Sequence, residues 1–421
     1  MSTRGRRWAV VGLGAALLVV IGLVFAQDQE VLRVKSPVAA SEPRFPDYVA
    51  ALLGAPVTSG DRYLVLQNGA EIFPAMLDAI ERAARRISFE SFIYADGEVP
   101  RRFTRALADA ARRGVTVRIV LDAFGSTDLP QDDVTELEDA GVRIAWFNPV
   151  RPWTIEEADY RTHRKVLVVD GAVAFTGGVG LADHWQGDAR NEKEWRDTQV
   201  QVTGPAVRLL EASFYENWLE SGGSEAPALD PDEPPAGTGA RSIVVWSNAN
   251  SGASNVKLLY LLSIASARRT IDIQSPYFIL DASTRGALDE ARVRGVQVRI
   301  LTEGSLTDAQ PVKFASRAAY DGLLQAGYEV LEYQQTMMHV KLMVVDGTWS
   351  VFGSANFDNR SFELNDELTV AVQDAELAAT FTRAFDTDAQ RSLRYTLDRW
   401  RERPGLEKAR EEFWSLFGEL F

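Results

Sequence analysis

Two long stretches of this chain are copies of one another, and that duplication limits the fold more than any single motif. Ala84-Arg85-Arg86-Ile87 is echoed by Ala267-Arg268-Arg269-Thr270-Ile271, and Phe89-Glu90-Ser91-Phe92-Ile93-Tyr94 by Ile273-Gln274-Ser275-Pro276-Tyr277-Phe278. Arg113-Gly114-Val115 to Ile119 is echoed by Arg294-Gly295-Val296 to Ile300, and Ala140-Gly141-Val142 by Ala326-Gly327-Tyr328. These landmarks keep one order at a nearly constant offset, which scattered chance matches would not do. The chain therefore carries an internal repeat, and whatever one half folds into, the other must fold into as well.

Within the first copy, Ile72, Phe73, Met76, Ile80 and Ala83 have helical spacing, and Ile87 to Tyr94 reads as a strand. A helix over about 100–113 leads through Arg113-Gly114 into a second strand, Val115 to Asp122, and a further helix precedes Val142 to Phe147. Helices alternating with short apolar strands argue for the α/β class, a sheet covered by helices. The 421 residues, 46% of them hydrophobic, are enough for two such domains.

The flanks read differently. Arg4, Arg6 and Arg7 precede an uncharged, mostly apolar run from Trp8 to Ala26, which as a helix is about 28 Å long, close to the hydrocarbon thickness of a bilayer. Residues 1–30 are expected to be a signal-anchor or transmembrane segment, with the arginines in the cytoplasm and the rest of the chain outside. Export followed by cleavage after Val24-Phe25-Ala26 is the alternative. Residues 31–60 read as a tether, and the Pro-, Gly- and acid-rich stretch 222–240 as a linker. In the tail, 396–421, Phe413, Leu416, Phe417, Leu420 and Phe421 fall at helical spacing, which predicts an amphipathic helix with its stripe packed on the body.

Only three histidines occur, His163, His184 and His339. Two of them hold equivalent places: His163, Lys165, Asp170 and Gly177 precede His339, Lys341, Asp346 and Gly353 by one and the same offset. Each set reads as a strand, an Asp-Gly turn and a returning strand. If Asp346-Gly347 is the whole turn, Val345 pairs with Thr348, and counting back sets His339 opposite Ser354 and His163 opposite Gly178. An imidazole, an ammonium, a hydroxyl and the Asn356 amide on one rim suit a phosphate ester. A satisfied core histidine would need the same coincidence twice. Asp170 and Asp346 are also ordinary turn residues beside glycine, and His184 reads as a loop residue near the rim. The chain has no cysteine, so thiolate metal sites and disulfides are excluded. Its net charge of −14 argues against a polyanion such as nucleic acid as partner.

The pattern His-x-Lys-x4-Asp-x6-Gly-[Gly/Ser], present twice, resembles the phospholipase D superfamily over roughly residues 60–395. Ser275-Pro276-Tyr277-Phe278, His339-Val340-Lys341 and Gly353 to Ser361, with Asn365 and Glu367, are most similar to bacterial cardiolipin synthases. Asp308, Arg317 and Tyr320 stand where that subgroup has an Asp followed by an Arg and a Tyr. The resemblance implies two tandem phospholipase D-like domains, 61–221 and 241–395, each a mixed β-sheet flanked by helices, related by a pseudo-two-fold axis. It implies one shared pocket whose catalytic set is His163, Lys165, Asp170, His339, Lys341 and Asp346. Lys165, Lys341, Ser354 and Asn356 would hold the phosphate. His163 would attack phosphorus to form a phosphohistidine and His339 would act as acid and base, the reverse assignment being the alternative, with no metal and no cofactor. Glu367 would orient His339, and Asp197 would be the corresponding acid of the first half.

The first copy departs from this pattern, having Gly177-Gly178-Val179-Gly180 where the second has Gly353-Ser354-Ala355-Asn356. The implied activity is transfer of a phosphatidyl group between two phosphatidylglycerols at a membrane, giving cardiolipin and glycerol. Hydrolysis by the same histidines, a metal-independent nuclease, and a lipid-binding protein on an inactive scaffold are the alternatives.

Overall fold

β9 (Ala240–Trp246) buries Ile243 and Val245 on one face and Val244 on the other, the two-residue period of a strand covered on both sides. It lies at the centre of a 15-stranded mixed sheet in the computed structural model, which describes residues 31–149, 159–226, 239–248 and 254–418. The first half contributes β1 (Val57–Gln67), β2 (Arg86–Ser91), β3 (Thr116–Asp122), β4 (Arg143–Phe147), β6 (Val166–Val169), β7 (Val173–Gly177) and β8 (Thr198–Thr203). The second contributes β9, β10 (Thr270–Gln274), β11 (Gln297–Thr302), β12 (Glu329–Tyr333), β13 (Leu342–Val345), β14 (Trp349–Gly353), β16 (Leu368–Gln373) and β17 (Ser392–Arg394).

Outward from the centre the orders are β1-β8-β7-β6-β2-β3-β4 and β9-β16-β14-β13-β10-β11-β12, with β17 added at one edge. Element by element they match, as the repeat requires. The halves meet where β1 and β9 pair antiparallel, Val57 opposite Ile243. An antiparallel seam between equivalent strands is what a two-fold axis produces. The linker expected over 222–240 therefore does not separate two bodies: the sheet is continuous, and one apolar core runs under both halves, from Val168 and Val202 to Val344 and Val370. Residues 227–238 of that linker lie outside the described residues.

A small second sheet also joins the halves. β5 (Arg161–Thr162) pairs parallel with β15 (Asn365–Asp366). Its counterpart is a bridge between Arg196 and Met338.

Three expectations are corrected here. The tether read over 31–60 contains the helix α1 (Phe45–Leu53), whose Phe45 and Val49 are buried against Trp349 and the second-half core, and β1 begins at Val57. The tail helix (Gly405–Ser415) does not bury its aromatic stripe: Phe413 is 52% and Leu416 64% exposed. It turns Glu411 inward instead, against Arg317 and Arg403 at 2.8 and 2.5 Å. Ion pairing, not apolar packing, seats that helix. Leu420 and Phe421 lie outside the described residues, as does the expected anchor, Trp8–Ala26. Among the described residues, no helix is long and apolar enough to cross a membrane.

The third correction concerns the hairpins. Asp346 and Gly347 are both left-handed (φ 53° and 66°), and Thr348 N–H donates to the Val345 carbonyl, so the tight turn forms as expected. Pairing resumes only at Trp349, however, which faces Val345, and β13 starts at Leu342. His339 is therefore not opposite Ser354. The first copy behaves identically, with Val169 facing Val173.

Candidate active site

Both histidines sit just ahead of their strands, in segments that pair with the other half. His163 N–H donates to the Asp366 carbonyl at 2.8 Å, continuing the β5–β15 pairing. His339 N–H donates to the Arg196 carbonyl at 2.7 Å, continuing the Met338–Arg196 bridge. The residue following each of those carbonyls is a carboxylate, Glu367 or Asp197. Each histidine is thereby laid beside the acid of the opposite half.

The side chains meet accordingly. His163 Nδ1 lies 2.9 and 3.1 Å from the two Glu367 oxygens. His339 Nδ1 lies 2.8 Å from Asp197 Oδ2. The expected pairing, Glu367 with His339 and Asp197 with the first-half histidine, is corrected: the acids are exchanged. The reason is the parallel pairing of short segments across the seam. An ionised carboxylate can only accept, so each Nδ1 carries the hydrogen and each Nε2 keeps its lone pair.

The lysines lie beside their histidines. Lys165 Nζ donates to the His163 carbonyl, and Lys341 Nζ to the His339 carbonyl, each at 2.8 Å. Lys341 Nζ also lies 2.9 Å from His339 Nε2 and donates to its lone pair. Aromatic rings wall the pair: Phe92 stands edge-on to His163 at 5.4 Å, and Trp185 and Trp195 each lie 5.5 Å from His339.

These four groups are buried together and shift one another. Burial, then the charges of Lys165 and Lys341, lowers His163 to about 4 against the pull of Glu367. Burial and the two lysines put His339 well below the usual imidazole range. Burial, with Lys341 adding to it, lowers Lys165 to about 7, and burial lowers Lys341 to about 8. Burial raises Asp197 to about 6 despite Lys341, the Thr198 N–H and the Trp185 indole. Burial works the same way on Glu367, but His163, Lys165 and the Ser354 hydroxyl outweigh it and hold that acid low. That each histidine feels the other half's lysine places both pairs around one site. It is poised for an anion: two neutral imidazoles, and two ammonium groups whose charge a phosphodiester would stabilise.

Other expected residues are placed elsewhere. Asp170 and Asp346 are turn anchors. The Asp346 carboxylate accepts the backbone N–H of Arg268, Arg269 and Thr270, and Asp170 those of Ala84, Arg85 and Arg86. Neither faces the histidines, which corrects their inclusion in the catalytic set. Ser354 is corrected as a phosphate contact: its hydroxyl donates to Glu367 Oε2 at 2.5 Å and accepts Leu368 N–H. Asn356 is buried beside it, with its side-chain oxygen unpartnered. Asp308 accepts from the Tyr277 hydroxyl at 2.7 Å and acts on Lys341 through space. Arg317 and Tyr320 belong to a structural network, Arg317 on Glu332 and Glu411, Tyr320 on Thr302. His184 lies tilted against Trp195, with ring centroids 3.9 Å apart. Among the described residues no group of three or more His, Cys, Asp or Glu is arranged to hold a metal.

Phe92, Trp185 and Trp195 are the site residues that sequence reasoning passed over. Phe92 lay in a repeated strand where only apolarity was legible. Trp185 lies between Gly177 and Asp197, where the offset between the two copies changes, so no echo marks it.

Comparison with known proteins agrees with this geometry. Residues 76–207 and 260–389 match the family described as "Cardiolipin synthase, PLD-like domain". The cardiolipin synthase of Geobacillus kaustophilus is 34% identical over 354 residues, 83% of this chain and 70% of its own. Cardiolipin synthase 1 of Bacillus anthracis is 32% identical over 400 residues, 92% of this chain and 78% of its own. Among solved structures, the phosphatidylserine synthase of Haemophilus influenzae superposes with a TM-score of 0.67 over 90% of this chain and 100% of its own, at 13% identity, a likeness of fold. With its two matched repeats and its paired His-Lys site, the chain belongs to the cardiolipin synthase family of the phospholipase D superfamily.

Proposed function

We propose that the protein is a phosphatidyltransferase that joins two phosphatidylglycerols into cardiolipin and releases glycerol. The observation that carries this reading is the pair of crossed His–carboxylate contacts, each leaving an Nε2 lone pair, that of His339 beside the Lys341 ammonium group. Two imidazoles with separate acids can divide a displacement at phosphorus between attack and proton transfer.

In the first half-reaction His163 Nε2 attacks the phosphorus of the donor, and the P–O bond to its glycerol head group breaks. His339 gives that glycerol oxygen its proton. Burial and the adjoining lysines favour neutral His339; the incoming phosphodiester anion offsets that repulsion and lets the imidazole take up the proton it will donate. In the second half-reaction a head-group hydroxyl of the acceptor gives its proton to His339 and attacks phosphorus, and the N–P bond breaks. Lys165, Lys341 and Asn356 neutralise the phosphoryl oxygens throughout. His163 suits the attacking role because both Glu367 oxygens clamp it and, among the described residues, no hydrogen bond covers its Nε2, whereas the His339 Nε2 is capped by Lys341.

The substrate is a bilayer lipid, and Arg4, Arg6 and Arg7 ahead of Trp8–Ala26 support an anchored protein with its catalytic part outside the cytoplasm. The test is product analysis after the purified full chain acts on phosphatidylglycerol vesicles. Cardiolipin and glycerol in equal amounts are expected. Phosphatidic acid without cardiolipin would mean that water resolves the intermediate, making the protein a hydrolase.

A further inference from the structure

The two halves hold their histidine-orienting acids by different means. Glu367 takes the Ser354 hydroxyl on the oxygen it shares with His163. The equivalent position in the first half is Gly178, where a Cβ would collide with the Asp197 carboxylate and lie 2.8 Å from the His339 carbonyl oxygen. No serine fits there. A different donor reaches Asp197: the Trp185 indole Nε1–H, at 3.0 Å from Oδ2, the oxygen that also accepts His339 Nδ1–H. The other oxygen accepts Thr198 N–H at 2.8 Å.

The same ring fills a second gap. A Cβ on Gly180, the counterpart of Asn356, would lie 3.2 Å from the six-membered ring of Trp185. Trp185 is 1% exposed, and its placement is fixed from several directions. Leu181 N–H donates to the Ile93 carbonyl just past β2, and Ala95 N–H donates back to the Leu181 carbonyl. Two residues before the tryptophan, the Asp183 carboxylate accepts Glu98 and Val99 N–H at the start of the helix α2 (Glu98–Arg112). The indole also stands edge-on to His339 itself, at 5.5 Å.

We propose that Trp185 is the positioning residue of the first half, its indole N–H replacing the hydroxyl that Ser354 supplies to Glu367 and its ring replacing the side chain absent at Gly180. It acts on the reaction through Asp197 and His339 and does not touch phosphorus. This deepens the reading of His339 as acid and base and rests on it. Donation from the indole favours the carboxylate form of Asp197, against the burial that raises it, and fixes which oxygen faces the imidazole.

The test replaces Trp185 by phenylalanine and, to keep the bicyclic volume, by benzothienylalanine, in which sulfur stands for the N–H. With phosphatidylglycerol, kcat is expected to fall by roughly tenfold to a hundredfold, the loss of one hydrogen bond to a charged group, with KM unchanged. The acid limb of the kcat profile is expected to move to higher pH, because Asp197 loses a donor that favours its ionised form. Titration of carbon-13-labelled aspartate by NMR, with no substrate present, is expected to show the same upward movement. Unchanged kcat and an unmoved Asp197 titration in the benzothienyl variant would overturn the proposal, as would a lowered melting temperature accompanied by neither effect. A wild-type protein that forms no product from phosphatidylglycerol would sink the proposed function, while the titration would still decide the role of Trp185.

Discussion

His163 and His339 illustrate what a repeat makes legible at the scale of residues. A single histidine on a strand is weak evidence, and its twin at the same offset is strong. What the repeat could not carry was the partner of each histidine. Asp197 and Glu367 do not keep the offset that relates the two histidines, and pairing across the seam depends on which short segments bridge, a long-range fact. The exchange has a measurable consequence. With an activated phosphodiester whose nitrophenolate leaving group needs no proton, Glu367→Gln is expected to lose the pre-steady-state burst by roughly a thousandfold or more, because it mis-sets the attacking imidazole. Asp197→Asn is expected to keep the burst and slow the turnover that follows. If each acid served its own half, the two variants would trade places. The pH profile follows from the same groups. Asp197, near 6, must be ionised to hold His339, so kcat/KM is expected to fall below that pH. Lys165 and Lys341, near 7 and 8, must be charged to receive the anion, so kcat/KM falls again above those values. His163, near 4, is already neutral across that window and sets neither limb. Bound phosphodiester favours the ammonium forms, so the alkaline limb of kcat is expected at higher pH than that of kcat/KM.

At the scale of elements, the Asp-Gly hairpins were readable because left-handed residues favour those side chains. Their register was not, since nothing in Asp346-Gly347-Thr348-Trp349 shows that Thr348 stays out of the pairing. Ser354, just past the end of β14, turns toward Glu367 and not toward the phosphate. The turn aspartates are better understood as staples. Asp346, 2% exposed, holds three backbone N–H groups at the entry to β10, and Asp170 holds the same three in the half-buried first copy. Asp346→Ala leaves those donors unpaired and is expected to lower unfolding stability by about 3 kcal/mol, with Asp170→Ala costing less because water can reach its turn. Urea titration checks the loss. The pH limbs of the remaining activity are expected to stay where they are, which a catalytic aspartate would not allow. The tail helix shows the opposite failure of pattern reading. Its aromatic spacing suggested packing, yet the contact is made by Glu411, because Arg317 and Arg403 offer a buried carboxylate two partners that no aromatic ring could satisfy.

For the molecule as a whole, the repeat and the α/β class were legible and the single sheet that joins the halves was not. Pro-, Gly- and acid-rich composition over 222–240 marks a linker, and composition does not show that one sheet runs on across it. A sheet can continue where the chain does not, since β1 and β9 meet edge to edge through hydrogen bonds that no local pattern records. The site depends on this seam twice, because each imidazole needs a carboxylate from across it. The linker and the seam can be separated experimentally. A protease site placed within residues 227–238 of the full chain, cut after folding, is expected to leave phosphatidylglycerol turnover within about twofold of the uncut protein, because the sheet and the shared core join the halves. The nicked protein is expected to melt in one transition, since the shared core and the crossed acids tie the halves together. Prompt separation of the fragments on gel filtration, with loss of activity, would show that the linker and not the sheet holds the halves in register.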